Sequence, residues 1–202
     1  MIKAVIFDYG RVLIKILPDE EYLKIFARAF GVSLTQFKKV SPPYFRPLDR
    51  GLPEEKFWPK LAKALKRSVP EKAATIFVKP FLKALVFYPE VFALVRLLRQ
   101  KGIKTAVLSN NMLTQAQLLK ERGGYQDFDE VILSCWVGLR KPDPAIYKLT
   151  ARRLAVKCTE CLFIDDNEKY LIPAKKLGMQ TILAKNPQQV VKEVLNILSL
   201  KN

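Results

Sequence analysis

The chain has 202 residues, half of them hydrophobic and 27% charged, which suits one α/β domain with a modest insert and argues against disorder. Thirty-five lysines and arginines against 19 acidic residues leave a net charge of +16, a field that attracts anions of any kind. Histidine is absent, which removes Ser-His-Asp chemistry, His-based acid/base catalysis and His-ligated zinc.

Taken in chain order, Met1 to Phe7 is too short, and too soon interrupted by Asp8, for a signal peptide. No apolar stretch reaches the roughly 18 residues of a membrane span. A cytoplasmic protein with no membrane partner is expected. Lys3 to Phe7 is the first of several short apolar runs of the kind that form buried parallel strands. After it the pattern turns helical. Asp19 to Phe30, Pro53 to Lys66 and Pro70 to Lys79 read as helices, with breaks at Gly31, Pro42-Pro43 and Gly51 and no strand among them. Pro89 to Gln100 then places Val91, Leu94, Val95 and Leu98 on one helical face, with Pro89 at its start and Gly102 at its stop.

From there strands and helices alternate. Lys104 to Leu108 ends at Ser109-Asn110-Asn111, Val131 to Leu133 at Ser134, and Cys161 to Ile164 at Asp165-Asp166. Thr181 to Leu183 is the last run, and Asn186-Pro187 opens a helix with Val190, Val191, Val194 and Leu198 on its apolar stripe. The pattern predicts an α/β fold, a doubly wound parallel sheet built from residues 1–15 and 86–202, with a helical insert at 16–85.

Three cysteines, Cys135, Cys158 and Cys161, form no disulfide framework and point to a reducing compartment. Cys158 and Cys161 have C-x-x-C spacing, but no second pair completes a zinc site, and Cys161 opens an apolar run where it reads as a small core hydrophobe.

In a doubly wound sheet, ligands bind beyond the carboxyl ends of the strands. The residues there are Asp8, Ser109 with Asn110, and Asp165 with Asp166. Converging carboxylates repel one another unless a cation lies among them, and an all-oxygen donor set suits magnesium. Each residue also has a plain alternative. Asp8, Ser109 and Asn110 could cap helices, and Asp165-Asp166 could open one.

Four segments together resemble the haloacid-dehalogenase-like hydrolases: Phe7-Asp8-Tyr9-Gly10-Arg11-Val12-Leu13, Val107-Leu108-Ser109-Asn110, Gly138 to Tyr147 around Lys141, and Phe163-Ile164-Asp165-Asp166-Asn167. The resemblance spans essentially the whole chain and implies a Rossmann-like core with a helical cap. It implies Asp8 as a nucleophile that carries an aspartyl-phosphate. Magnesium would be held by Asp8, the Gly10 carbonyl, Asp165 and Asp166. Ser109 and Asn110 would hydrogen-bond the phosphoryl oxygens, and Lys141 would neutralise charge. Arg11 and Arg50 are further candidates for phosphate or leaving-group contact. Arg50 lies in Leu48 to Trp58, which is similar to a recurring cap segment; Phe57 and Trp58 read as cap core.

Two positions depart from the family's pattern. Gly10 stands where a second aspartate usually serves as acid and base, as in a subgroup of sugar-phosphate and nucleotide phosphatases with Asp-x-Gly. Tyr170 stands near where another Asp or Asn usually supports the metal. The expected activity is hydrolysis of a small phosphorylated metabolite with magnesium. A non-catalytic protein of this fold, and a nucleic-acid or nucleotide-end processing phosphatase, are the alternatives. Nucleic acid is not the expected partner, because the basic residues are spread along the chain without aromatic-basic interleaving.

Overall fold

The short apolar runs pair side by side in the computed structural model, which describes residues 1–200. β1 (Ala4–Phe7) is followed by β2 (Ile14–Lys15), α1 (Asp19–Ala29), α2 (Leu34–Val40), α3 (Pro42–Leu48), α4 (Glu54–Leu65), α5 (Val78–Ala84) and β3 (Val86–Phe87). The chain continues with α6 (Pro89–Gln100), β4 (Lys104–Ser109), α7 (Leu113–Glu121), β5 (Glu130–Leu133) and α8 (Ser134–Val137). It ends with α9 (Pro144–Arg153), β6 (Cys161–Asp165), α10 (Glu168–Lys176), β7 (Gln180–Leu183) and α11 (Pro187–Ile197).

The main sheet has the order β5-β4-β1-β6-β7, and every pairing in it is parallel. Both its faces are covered, which is why the central strands β1 and β6 are buried along their whole length rather than alternating. Val5, Phe7 and Leu162 pack with Val91, Val95, Val190 and Val194 of α6 and α11. Ala4, Ile6 and Phe163 face the other way, toward Ile146, Tyr147 and Leu171 of α9 and α10. Burying each such large apolar side chain contributes about 1.5–3 kcal/mol.

The register matters more for function. Phe7 lies level with Val107 on one side and Ile164 on the other. The residues that follow, Asp8, Leu108 and Asp165, therefore emerge in one row at the carboxyl edge, with Ser109 one step beyond. Asp8 N–H donates to the Ile164 carbonyl at 2.8 Å, extending the ladder by one bond.

Between β1 and α6 the structure is helical, as expected, with three differences. The break at Pro42-Pro43 separates two further short helices: α2 ends at Val40 and the pair opens α3, because proline is tolerated in a helix's first turn, where N–H groups lack partners anyway. Pro70 to Lys79 is not one helix: a single 3₁₀ turn at Ala73–Thr75 precedes α5. Finally, β2 and β3 form an antiparallel two-residue ribbon where the chain leaves and rejoins the sheet, too short to show a period in sequence. The insert's own core is aromatic, with Phe26, Phe37, Phe57, Trp58 and Phe77 buried together.

The insert rests on the sheet domain through polar contacts too. Glu54 of α4 is buried and accepts hydrogen bonds from the Thr114 N–H and hydroxyl at 3.2 and 2.5 Å, in the first turn of α7. Gly51 packs so closely on α8 that a β-carbon there would lie 2.4 Å from the Cys135 carbonyl oxygen. No described helix is long and apolar enough to cross a membrane.

Candidate active site

Lys141 is the centre of the arrangement at the carboxyl edge. Its ammonium reaches Asp8 Oδ1 at 2.6 Å and Asp165 Oδ2 at 2.5 Å, with Lys141 1% and Asp165 0% exposed. Burial alone pulls the lysine's pKa down, but the two carboxylates outweigh it and the net direction is up, so the ammonium stays charged. Asp165 is pushed up to about 7, by burial first and by the neighbouring Asp8 charge, against the opposing pull of Lys141. The rings of Tyr170 and Phe163 lie 4.9 and 5.5 Å from the same ammonium. Tyr170, the sequence's departure from an acidic residue, thus serves as an aromatic neighbour to the lysine.

Asn110 lines the crevice, and its amide is already engaged with the main chain of Lys141. Its Nδ2 donates to the Lys141 carbonyl at 3.0 Å and its Oδ1 accepts from the Lys141 N–H at 2.9 Å. These two bonds fix the main chain that carries the lysine and leave one amide N–H without a partner among the described residues. Ser109 is different: it is buried, lines the crevice, and its hydroxyl makes no hydrogen bond among the described residues.

The crevice has a volume of about 230 Å³, and Asp8, Gly10, Arg11, Ser109, Lys141 and Asp166 are among its walls. Carboxylate oxygens of Asp8, Asp165 and Asp166 come within 4.8 Å of one another. Their openness differs. The two oxygens of Asp165 already accept from Lys141 and, at 2.8 Å, from the Asn167 N–H. Asp8 Oδ2 and Asp166 Oδ1 carry no hydrogen bond among the described residues. Burial, and then the Asp8 charge, push the Asp166 pKa up, while Arg11 draws it down.

Arg11 adopts the left-handed backbone region at φ 62°. Its guanidinium bonds Asp166 at 3.2 Å, Asp19 at 2.6 Å and the Leu17 carbonyl at 3.4 Å. It therefore sits at the crevice as expected, but engaged with carboxylates rather than free for phosphate.

Arg50 corrects the sequence reading outright. It is exposed on the turn after α3 and lines neither the crevice nor the cavity beside it. The preceding Asp49 turns inward instead and pairs with Arg140 at 3.0 Å, so that Arg140 is the arginine next to the site. Its adjacency to Lys141 was the only local signal for it. Nothing local marks Ile16, whose Cδ1 lies 2.9 Å from where a β-carbon on Gly10 would be. Cys161 is buried and Cys158 partly so, and burial raises both thiol pKa values, so neither is primed as a nucleophile.

Comparison with known proteins agrees with this fold. Residues 2–178 match the family model described as haloacid dehalogenase-like hydrolase. Phosphatase MT3486 of Mycobacterium tuberculosis is 34% identical over 114 residues, covering 55% of this chain and 52% of that protein. A predicted HAD-like family hydrolase from Porphyromonas gingivalis superposes with a TM-score of 0.83 at 24% identity, over 100% of both chains. A HAD family enzyme from Bacteroides thetaiotaomicron, solved with magnesium and inorganic phosphate, does so with a TM-score of 0.73 at 22% identity, over 92% of this chain and 95% of that one. The chain spans between 10% and 52% of the length of the first curated relatives it matches.

Proposed function

The chain belongs to the haloacid dehalogenase-like hydrolases, and we propose that it is a magnesium-dependent phosphatase of small phosphorylated metabolites with Asp8 as nucleophile. The observation that carries this reading is Lys141, a buried cation held between Asp8 and Asp165 at the level edge of three adjacent strands.

An oxygen of Asp8 attacks phosphorus as the bond to the leaving oxygen breaks, giving an aspartyl-phosphate. Water then attacks that phosphorus, the bond to Asp8 breaks, and inorganic phosphate leaves. Ser109 donates its free hydroxyl to a phosphoryl oxygen. Lys141 offsets negative charge as it builds on Asp8 and the transferring group, and Asn110 and Asp165 keep it aimed. The donor set suits magnesium: open carboxylate oxygens on Asp8 and Asp166 and the Gly10 carbonyl, with no nitrogen or sulfur ligand. Magnesium bound there supplies electrostatic shielding of the phosphate dianion. In this reading Asp165 orients Lys141 more than it offers a ligand. The insert at 16–85 acts as a cap that excludes water and selects the leaving group. The three unpaired thiols support a cytoplasmic setting.

Hydrolysis of 4-nitrophenyl phosphate tests the proposal. Turnover should need magnesium and disappear in Asp8→Asn. Full activity in excess chelator, or in the variant, would reject it.

A further inference from the structure

Beside the crevice lies a second cavity of about 380 Å³ between the insert and the sheet domain. Asp19, Tyr22, Asn110, Gln115 and Tyr170 line both spaces, so the two adjoin across those side chains. Of the other walls, Phe26, Phe45 and Phe77 are aromatic, Leu23 and Met112 are apolar, and Asp49 and Arg140 are charged. Phe26 packs against Phe45 and Phe77 with ring centroids 5.9 and 6.3 Å apart; Phe45 is the partly exposed ring of the three, and the buried Phe26 and Phe77 back it.

Its polar groups are mostly engaged elsewhere. Asp49 and Arg140 are paired, Asp19 is bonded to Arg11, and both amide atoms of Asn110 are on Lys141. What remains is the Gln115 amide and the Tyr170 hydroxyl, neither of which makes a hydrogen bond among the described residues; the Tyr22 hydroxyl and the Arg140 Nε also lack partners but are buried atoms that expose no surface to the space. In a chain of net charge +16, no lysine lines this cavity. A leaving group bearing a second phosphate would find no unpaired cation there, and a bare sugar would leave hydroxyls without partners.

We propose that this cavity is the leaving-group subsite and that it takes a compact aromatic group, so that the substrate is a monoester with one phosphate on a benzyl- or phenyl-like alcohol. The inference rests on the phosphatase reading for the position of the phosphate. Size agrees: an apolar cavity of about 150 Å³ already holds a benzene-sized molecule. The space here takes one ring with a small polar substituent, for which the partly exposed Gln115 amide supplies a donor.

Calorimetric titration with phosphonates separates fit from reactivity, because they are not hydrolysed. In magnesium-containing buffer, benzylphosphonate should bind at least about tenfold tighter than 2-hydroxyethylphosphonate, one ring's worth of apolar burial. Phe45→Ala, which removes a partly buried wall, should shrink that ratio severalfold. Should it fail to fold, Leu23→Trp, which fills the same space from α1, should do the same by exclusion. Equal affinities for the two phosphonates in the wild type, or an unchanged ratio in a folded variant, would overturn the subsite. The outcome is distinguishable from failure of the phosphatase reading. Normal 4-nitrophenyl phosphate turnover with a ratio near one rejects only the subsite. Tight benzylphosphonate binding without turnover of any phosphate ester rejects only the reaction.

Discussion

The Cδ1 atom of Ile16 lies 2.9 Å from the point where a β-carbon on residue 10 would stand, so any side chain at Gly10 has to displace it. Expulsion of a basic alkoxide would normally be helped by a carboxylic acid beside the leaving oxygen. Here an isoleucine methyl fills that corner.

The first prediction follows from that contact. Across a series of aryl and alkyl phosphates, log kcat/KM should fall steeply as the leaving group becomes more basic, and glycerol phosphate should be poor. Gly10→Asp alone should flatten the slope in part, because the Ile16 methyl it meets is the movable end of a partly exposed side chain. Gly10→Asp combined with Ile16→Ala should flatten it. A flat wild-type series would show that another residue supplies the proton.

Arg11 competes with any cation for Asp166. The bond is 3.2 Å long and the partners are 37% and 23% exposed, which puts the pair in the range of about 0–1 kcal/mol. Arg11→Asn, a residue tolerant of the left-handed backbone at this position, should tighten magnesium binding up to about fivefold. Titration calorimetry of the metal reads this directly, without turnover. Weaker binding in the variant would mean that Arg11 organises the site rather than competing for it.

The Lys141 cluster predicts a pH dependence. Asp165 titrates near 7 in the folded chain, above an ordinary carboxylate, so the folded state holds more protons than the unfolded state between those limits. Stability of the metal-free protein should therefore fall as pH rises through about 7. Asp165→Asn should remove that slope, read as Tm against pH in chelator. Lys141→Met leaves two buried carboxylates without their cation and should cost about 3–5 kcal/mol at pH 8, less at pH 5. Its kcat should drop about 10²-fold or more if the lysine steadies the transferring charge.

The insert's hold on the sheet domain is testable at Glu54. Glu54→Ala deprives the Thr114 N–H and hydroxyl of their acceptor and should cost about 1–3 kcal/mol in urea denaturation. Glu54→Gln retains an acceptor oxygen and should recover most of the loss. Equal stabilities for Ala and wild type would mean that water replaces the contact freely.

The core was legible in the sequence because strand and helix patterns depend on residues a few positions apart. Ala106 to Leu108 and Cys161 to Ile164 are apolar in unbroken runs, and burial on both faces requires that. The polar residues that end those runs, Asp8, Ser109 and Asp165, followed from the same local rule, since a parallel sheet exposes its strand ends on one edge.

What chain neighbours could not decide is which distant groups pair. Asn110 engages Lys141 across 31 positions, Asp49 engages Arg140 across 91, and Arg11 engages Asp166 across 155. Each bond depends on how whole elements pack, and no local pattern encodes it. Arg50 and Asp49 differ by one residue, yet the turn after α3 sends the arginine to solvent and the aspartate inward. Gly10 reads in sequence as a missing acid, whereas packing makes it a place that Ile16 fills. The composition and periodicity determined that carboxylates would gather at one edge of a parallel sheet; only the packed structure determined which of their oxygens remain open, because that depends on the cations that reach them.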